Sequence, residues 1–149
     1  MLDRSSGLSP ILLLAIVPAI FLAGCELGAE RGGYIPFAQR DPAVKAFALL
    51  LNYYAWILAT NGVAAYRDGP AGVKYAKAAC ADTSWKNAAV LDTLAASYAR
   101  DGKFDLAVKW QKAAIEASGA GSSSVFSRRL DLYEEHELCS SGQSAFPWF

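Results

Sequence analysis

Few residues of this chain are suited to catalysis or metal binding. The main candidates are the single histidine and the three cysteines. His136 and Cys139 stand three positions apart, so a helix would place both on one face as two metal ligands. Zinc needs three or four ligands, and the sequence nominates no others, so a solvated, charged helix end is the preferred interpretation. A Ser/His/Asp or Cys/His catalytic arrangement needs a histidine, and the chain has only one, so each could form in no more than one way. No glycine-rich motif for binding phosphate occurs. The sequence therefore predicts that the protein is not an enzyme, with no catalytic residue, no metal and no cofactor.

The N-terminal residues up to Cys25 form a short polar segment followed by an apolar run. The polar segment is residues 1–10, and the almost unbroken apolar run is residues 11–22. The run is shorter than the ~20 residues that a membrane-spanning helix needs, and it fits the apolar stretch of a secretory signal peptide. It ends in Leu22-Ala23-Gly24-Cys25, which resembles the lipobox of bacterial lipoproteins.

The lipobox resemblance implies a membrane anchor. In that family the cysteine thiol takes a diacylglycerol thioether, and cleavage then makes the cysteine the first residue. Small residues at the two preceding positions let the peptidase approach, and Ala23 and Gly24 meet that need. Residue 26 is Glu rather than Asp, which by resemblance to proteobacterial sorting favours the periplasmic side of the outer membrane. A cysteine buried in an apolar helix is the alternative interpretation.

The elements that follow are predicted to be helices. Asp41-Pro42 is typical of a helix start, and Asn61-Gly62 of its end. Between them, two apolar stripes recur at helical spacing, so we expect this helix to be covered on both sides. The first stripe is Val44, Phe47, Leu51, Tyr54 and Leu58, and the second is Leu50, Tyr53 and Ile57.

Internal repetition is the most informative feature of the chain. Residues 73–80 match residues 108–115 at a shift of 35, with five of eight positions identical. Residues 55–60 align with residues 91–96 at a shift of 36. Because two successive helices repeat together, the repeated unit is a pair of helices.

The second unit, residues 86–119, resembles a tetratricopeptide repeat. The family's large–large–small–aromatic pattern falls on Leu91, Leu94, Ala95 and Tyr98, and its small positions fall on Ala107 and Ala114. Residues 100–103 form the tight turn, in which Gly102 is free to take a positive φ. Gln111 departs from the family, which usually has an aromatic residue there.

The resemblance implies an all-α protein, a short right-handed helical-hairpin repeat. The expected order is a signal peptide (1–24), a lipidated cysteine with its tether (25–40), two hairpins (41–118), a linker and capping helix (119–139), and an aromatic tail (140–149). The capping helix is expected over about 125–138. Its apolar side is Val125, Phe126, Leu130, Tyr133 and Leu138; Arg128, Arg129, Glu134, Glu135 and Glu137 lie mostly opposite. The tail could dock on a partner or fold back over the domain.

Two further cysteines remain after the anchor. An exported compartment permits a disulfide between Cys80 and Cys139. Cys80 nevertheless aligns with Ile115 of the other repeat, which favours a small buried hydrophobic residue. Both interpretations stay open at the level of sequence.

In the repeat family the first helix of each pair lines a concave groove. Carried over by position, the partner-binding residues are Tyr53, Trp56 and Thr60 in the first unit, and Ala89, Asp92, Ala96 and Arg100 in the second. A solvated helix face with contacts along the helix is the alternative interpretation.

The charge balance excludes one class of partner. Fourteen basic and fourteen acidic residues give a net charge of zero, so no basic excess favours nucleic acid. No small-molecule substrate is evident. The sequence predicts a lipid-anchored adaptor that binds another envelope or membrane protein. The alternative is a structural accessory subunit of a larger membrane protein complex.

Overall fold

Five α-helices and one short 3-10 helix form the part of the chain that the computed structural model describes, residues 41–119 and 123–140. These are α1 (Pro42–Thr60), α2 (Gly69–Asp82), α3 (Ala88–Arg100), α4 (Phe104–Ser118) and α5 (Ser123–Glu134), with the 3-10 helix Ala64–Tyr66 between α1 and α2. No strand occurs within these ranges, and the all-α class is confirmed for them. The predicted signal peptide, Cys25, the tether and residues 141–149 lie outside the described residues.

Three helices begin with a side-chain cap. Asp41, Asp68 and Asn87 precede α1, α2 and α3, and each accepts a hydrogen bond from a backbone N–H two or three residues ahead. Proline stands in the first turn of α1 and of α2, where a missing N–H has no effect on the helical bonds. The start of α1 at Asp41-Pro42 was predicted from the sequence and is confirmed.

Three helices also end in the same way. Ser84, Gly102 and His136 follow α2, α3 and α5 and have φ values of 58°, 74° and 57°. In each case the next N–H bonds to the carbonyl five residues earlier, which is the Schellman motif: Trp85 to Cys80, Lys103 to Tyr98 and Glu137 to Leu132. The positive φ predicted for Gly102 is confirmed. Because His136 turns the chain, α5 ends at Glu134 and does not continue to residue 138.

Consecutive helices pack against one another, and α3 lies at the centre. α1 packs on α2 and α3, α2 also on α3, α3 on α4, and α4 on α5. The pairs α1–α2 and α3–α4 contain the two copies of the repeated sequence. Alanine residues let the helices approach closely, and those with no exposed surface are Ala48, Ala55, Ala76, Ala79, Ala95, Ala107 and Ala114.

The first turn of α2 lies directly against the end of α3. A Cβ atom on Gly69 would lie 2.6 Å from the backbone nitrogen of Asp101 and 2.8 Å from the carbonyl carbon of Arg100. Both neighbours are backbone atoms, so they cannot move aside as a flexible side chain could. Only glycine fits at this contact between the two hairpins.

Gly69→Ala is therefore expected to lower the free energy of unfolding by about 1–3 kcal/mol, the usual range for overpacking. Gly62→Ala is the matched control, because a Cβ atom there would meet nothing within 4 Å. Denaturation in urea, followed by circular dichroism at 222 nm, compares the two variants. Equal midpoints would show that α2 and α3 are not in the close contact described.

The outer face of α1 differs from the prediction. In the first apolar stripe Leu51 and Leu58 are buried, whereas Val44 at its start is 39% exposed. The second stripe was expected to be covered, but Leu50 is 48% exposed and Tyr53 is 50% exposed. By length and composition alone α1 could cross a membrane, although that test is also met by core helices such as this one.

Candidate functional site

The seven residues predicted to line a groove lie on α1 and α3, but most of them are inaccessible. Tyr53 is exposed and Arg100 is half-buried. The other five are buried: Trp56, Thr60, Ala89, Asp92 and Ala96. Tyr53 and Arg100 are therefore the accessible members of the predicted set, and partner binding by this set stays a prediction.

Arg129 of α5 fills the space in front of Trp56 and Asp92. Its guanidinium carbon lies 4.7 Å from the centre of the Trp56 ring, and its Nη1 donates a hydrogen bond to Asp92 Oδ2. Only 3% of Arg129 is exposed. Arg129 was expected on the polar side of this helix, and that expectation is wrong. The buried stripe of α5 consists of Phe126, Arg129 and Tyr133.

Gln111 joins α4 to the same cluster. Its Nε2 donates one hydrogen bond to Asp92 Oδ1 at 2.9 Å and another to the carbonyl of Phe126 at 3.1 Å. The departure from the repeat pattern at this position therefore has a structural reason. Three helices meet at the Asp92 carboxylate.

Burial from water shifts the pKa values of Asp92 and Arg129 in this cluster. Burial raises the pKa of Asp92, although Arg129 and Gln111 both act to lower it. Burial acts to lower the pKa of Arg129, but attraction to the Asp92 carboxylate leaves that pKa raised overall. Gln111 Oε1 and Arg129 Nη2 have no hydrogen-bond partner. Since no substrate could reach these atoms, the cluster positions α5 and is not a reactive site.

The thiols of Cys80 and Cys139 are both free and buried, so the disulfide alternative is not formed. Burial raises the pKa of Cys80 to about 12, which keeps it a protonated, unreactive thiol at neutral pH. Cys139 Sγ lies 3.2 Å from the Tyr133 hydroxyl oxygen. Burial also raises the pKa of both groups in this pair. The interpretation of Cys80 as a small buried hydrophobic residue is confirmed.

His136 and Cys139 do not share a helix face, because both lie beyond the end of α5. The His136 ring is exposed and stands at 80° to the Phe104 ring, with 4.9 Å between centroids. It lines an open cleft of about 480 Å³ together with residues 102–106. Within the described part of the chain, no group of three His, Cys, Asp or Glu side chains is placed to hold a metal ion.

A pair of stacked tryptophans is the surface feature that the sequence analysis missed. The Trp85 and Trp110 rings lie 5.0 Å apart at 29°, and Trp85 is 41% exposed. Trp85 has a φ of 58°, directly after the left-handed Ser84. The helix cap accounts for Ser84 but not for Trp85, and a bulky residue in this region is uncommon. No sequence signal marks a tryptophan for that backbone conformation.

Two lysines lie next to the tryptophan pair in the chain. The Lys109 ammonium lies 5.6 Å from the centre of the Trp110 ring, and Lys86 follows Trp85 directly. Both lysines are exposed. The arrangement is a stacked aromatic pair, partly exposed, with a cation beside it, which suits binding.

Comparison of the chain with protein-family models, curated proteins and solved structures finds no match.

Proposed function

We propose that this protein is a lipid-anchored adaptor of the cell envelope that binds another envelope or membrane protein through a short helical-hairpin repeat of the tetratricopeptide type. Three observations support the repeat. The two sequence copies coincide with two helix pairs, Gly102 has the left-handed conformation of the hairpin turn, and Ala107 and Ala114 are fully buried. The lipobox pattern at Cys25 supports the anchor, and Glu26 favours the periplasmic side of the outer membrane.

The stacked pair of Trp85 and Trp110 carries the proposal of a binding role. Tryptophan is among the residues that contribute most to protein interfaces, and a ring already held in place loses little entropy on binding. The left-handed backbone at Trp85 is a strained conformation of the kind that concentrates at functional sites. Lys86 and Lys109 favour a partner surface with acidic residues around an apolar centre.

A binding role also fits the position of the ionisable groups. Asp92, Arg129, Tyr133 and Cys139 have shifted pKa values, and all four are buried in the helical core. Groups that act on a substrate need access to it. We therefore propose a protein without enzymatic activity.

A structural accessory subunit of a larger membrane complex is the second candidate, and the outer face of α1 favours it. Leu49, Leu50 and Tyr53 expose about half of their surface, and permanent interfaces are more apolar than transient ones. Purification in mild detergent separates the two functions. An obligate subunit would be recovered with its neighbours in fixed stoichiometry, whereas an adaptor would be recovered partly alone.

Trp85→Asn tests the adaptor proposal. Asparagine tolerates the left-handed backbone, so the fold should be kept while the ring is removed. We expect recovery of the partner from solubilised membranes to fall at least tenfold, as for the loss of a central interface residue. Quantitative mass spectrometry measures the recovery, and the melting temperature reports the fold.

Val125→Asn on α5 is the matched control, because Val125 is 45% exposed and lies on another helix. Its recovery of the partner should equal that of the unchanged chain. Equal recovery with Trp85→Asn and Val125→Asn would remove the tryptophan pair from the binding surface.

A further inference from the structure

The exposed apolar side chains are concentrated at the N-terminal end of the described chain. Six of the ten large hydrophobic residues that are exposed there lie between residues 44 and 66. They are Val44, Leu49, Leu50, Tyr53, Val63 and Tyr66. We refer to Leu49, Leu50 and Tyr53, which helical spacing places on one side of α1, as the α1 surface.

The α1 surface lacks the charges of an ordinary water-facing helix. Residues 46–60 contain no Asp, Glu, Lys or Arg, although the outer face of a surface helix is normally polar. The opposite face of α1 is fixed in the core through Leu51, Ala55 and Leu58. The helix therefore cannot leave the domain to cross a bilayer. Its outer apolar face can instead be buried in a lipid interface while the rest of the domain stays in water.

The position of the α1 surface in the chain also points to contact with lipid. α1 begins at Pro42, immediately after the predicted tether of residues 26–40. A tether of this length extends to about 50 Å at most, so an anchored domain never moves far from the lipid. Anchoring gives the bilayer a high effective concentration at this end of the domain, and a modest affinity is then sufficient for docking.

The polar groups around the α1 surface suit a headgroup layer. Tyr53 and Tyr66 combine an apolar ring with a hydroxyl, the type of side chain that is enriched at membrane interfaces. Arg67 follows the 3-10 helix and is exposed, and such a cation is attracted to anionic phosphates.

From these observations we infer that the α1 surface docks the domain onto the lipid bilayer that holds Cys25. The inference rests on the proposed lipid anchor. Docking would fix the orientation of the helices on the membrane and leave Trp85 and Trp110, which lie on other elements, for the protein partner.

Depth-dependent quenching tests the docking. The full lipidated chain carries Leu50→Cys labelled with an environment-sensitive fluorophore, in vesicles of phosphatidylethanolamine and phosphatidylglycerol. Labelling is selective, because Cys80 and Cys139 are buried and Cys25 bears the lipid. Val125→Cys on α5 is the matched control. We expect nitroxide-bearing acyl chains to quench the Leu50 probe several-fold more than the Val125 probe, and aqueous iodide to show the reverse order.

Two results would overturn the docking. Equal iodide quenching of the two probes would show that the α1 surface faces water. A Leu50 probe shielded from iodide but unaffected by nitroxide lipids would show that protein covers it, from this chain, a second copy or another subunit. Mass spectrometry of the same sample shows independently whether Cys25 carries the lipid. A modified Cys25 with an exposed Leu50 probe overturns docking alone, whereas an unmodified Cys25 overturns the anchor and the docking together.

Discussion

Asp92→Ala should lower the free energy of unfolding by about 3–5 kcal/mol, one of the largest effects expected for a single substitution in this protein. The Asp92 carboxylate is fully buried and accepts hydrogen bonds from Arg129 and Gln111. Removing it leaves the Arg129 guanidinium buried without a counter-charge. Because this carboxylate joins α3, α4 and α5, we expect α5 to lose its fixed position first.

The paired substitution Asp92→Leu with Arg129→Met should recover most of that loss. Two apolar side chains need no counter-charge, and replacement of a buried ion pair by hydrophobic residues is often neutral or stabilising. The raised pKa of Asp92 agrees with this expectation, since it shows that burial of the carboxylate is unfavourable in spite of its partners. Urea denaturation of the single and paired variants measures the difference.

Lys112→Ala is the control for a pair at the surface. Lys112 and Glu134 also join α4 to α5, at 3.0 Å, but their side chains are 55% and 49% exposed. We expect a change within about 0.5 kcal/mol, because water screens an exposed pair. If Asp92→Ala proved as mild as Lys112→Ala, the buried pair would not hold α5 in place.

The parts of the fold that depend on local residue type could be predicted from the sequence. Asp41-Pro42 starts a helix and Gly102 allows a left-handed turn, and both effects act within a few residues. Repetition at a shift of about 35 residues then indicated that helices α1–α2 and α3–α4 form equivalent pairs. None of these inferences needed knowledge of distant contacts.

The buried cluster could not be predicted, because its partners are far apart in the chain. Arg129 and Asp92 are separated by 37 positions, and Gln111 and Asp92 by 19. A periodic pattern assigns a charged residue to the water-facing side, so Arg129 was placed on the wrong face of α5. The buried Arg129 lies over the Trp56 ring and bonds to Asp92, two of the residues predicted to bind a partner. The misplacement of one residue of α5 therefore explains why the burial of these two was not foreseen.

The second stripe of α1 shows a different limit. Periodicity correctly separates the apolar faces of a helix, but it does not identify what covers each face. Leu51 and Leu58 are buried, whereas Leu50 and Tyr53 expose about half of their surface. What contacts an exposed apolar face depends on where the protein is placed in the cell. In the proposed function that placement depends on Cys25.

Cys25→Ser should abolish attachment of lipid and leave residues 1–24 on the chain, an all-or-none change. The thiolate is the nucleophile that forms the thioether, and a serine hydroxyl is a poor substitute because it does not ionise at neutral pH. Cells fed an alkyne fatty acid report the lipid, and intact mass spectrometry reports the N-terminus. Cys25 precedes Pro42, where the described helices begin, so the helical domain should melt as in the unchanged chain.

Cys80→Ala is the matched control, because it removes a different cysteine. Cys80 is buried with a pKa of about 12, so it should neither accept lipid nor affect processing. The control should keep full lipid labelling and the mature N-terminus at Cys25. An unchanged chain that still begins with Met1 and carries no lipid would show that residues 11–25 are not a lipoprotein signal. The α1 surface would then need a protein cover, as in the accessory-subunit alternative, because the domain would no longer be held beside a bilayer.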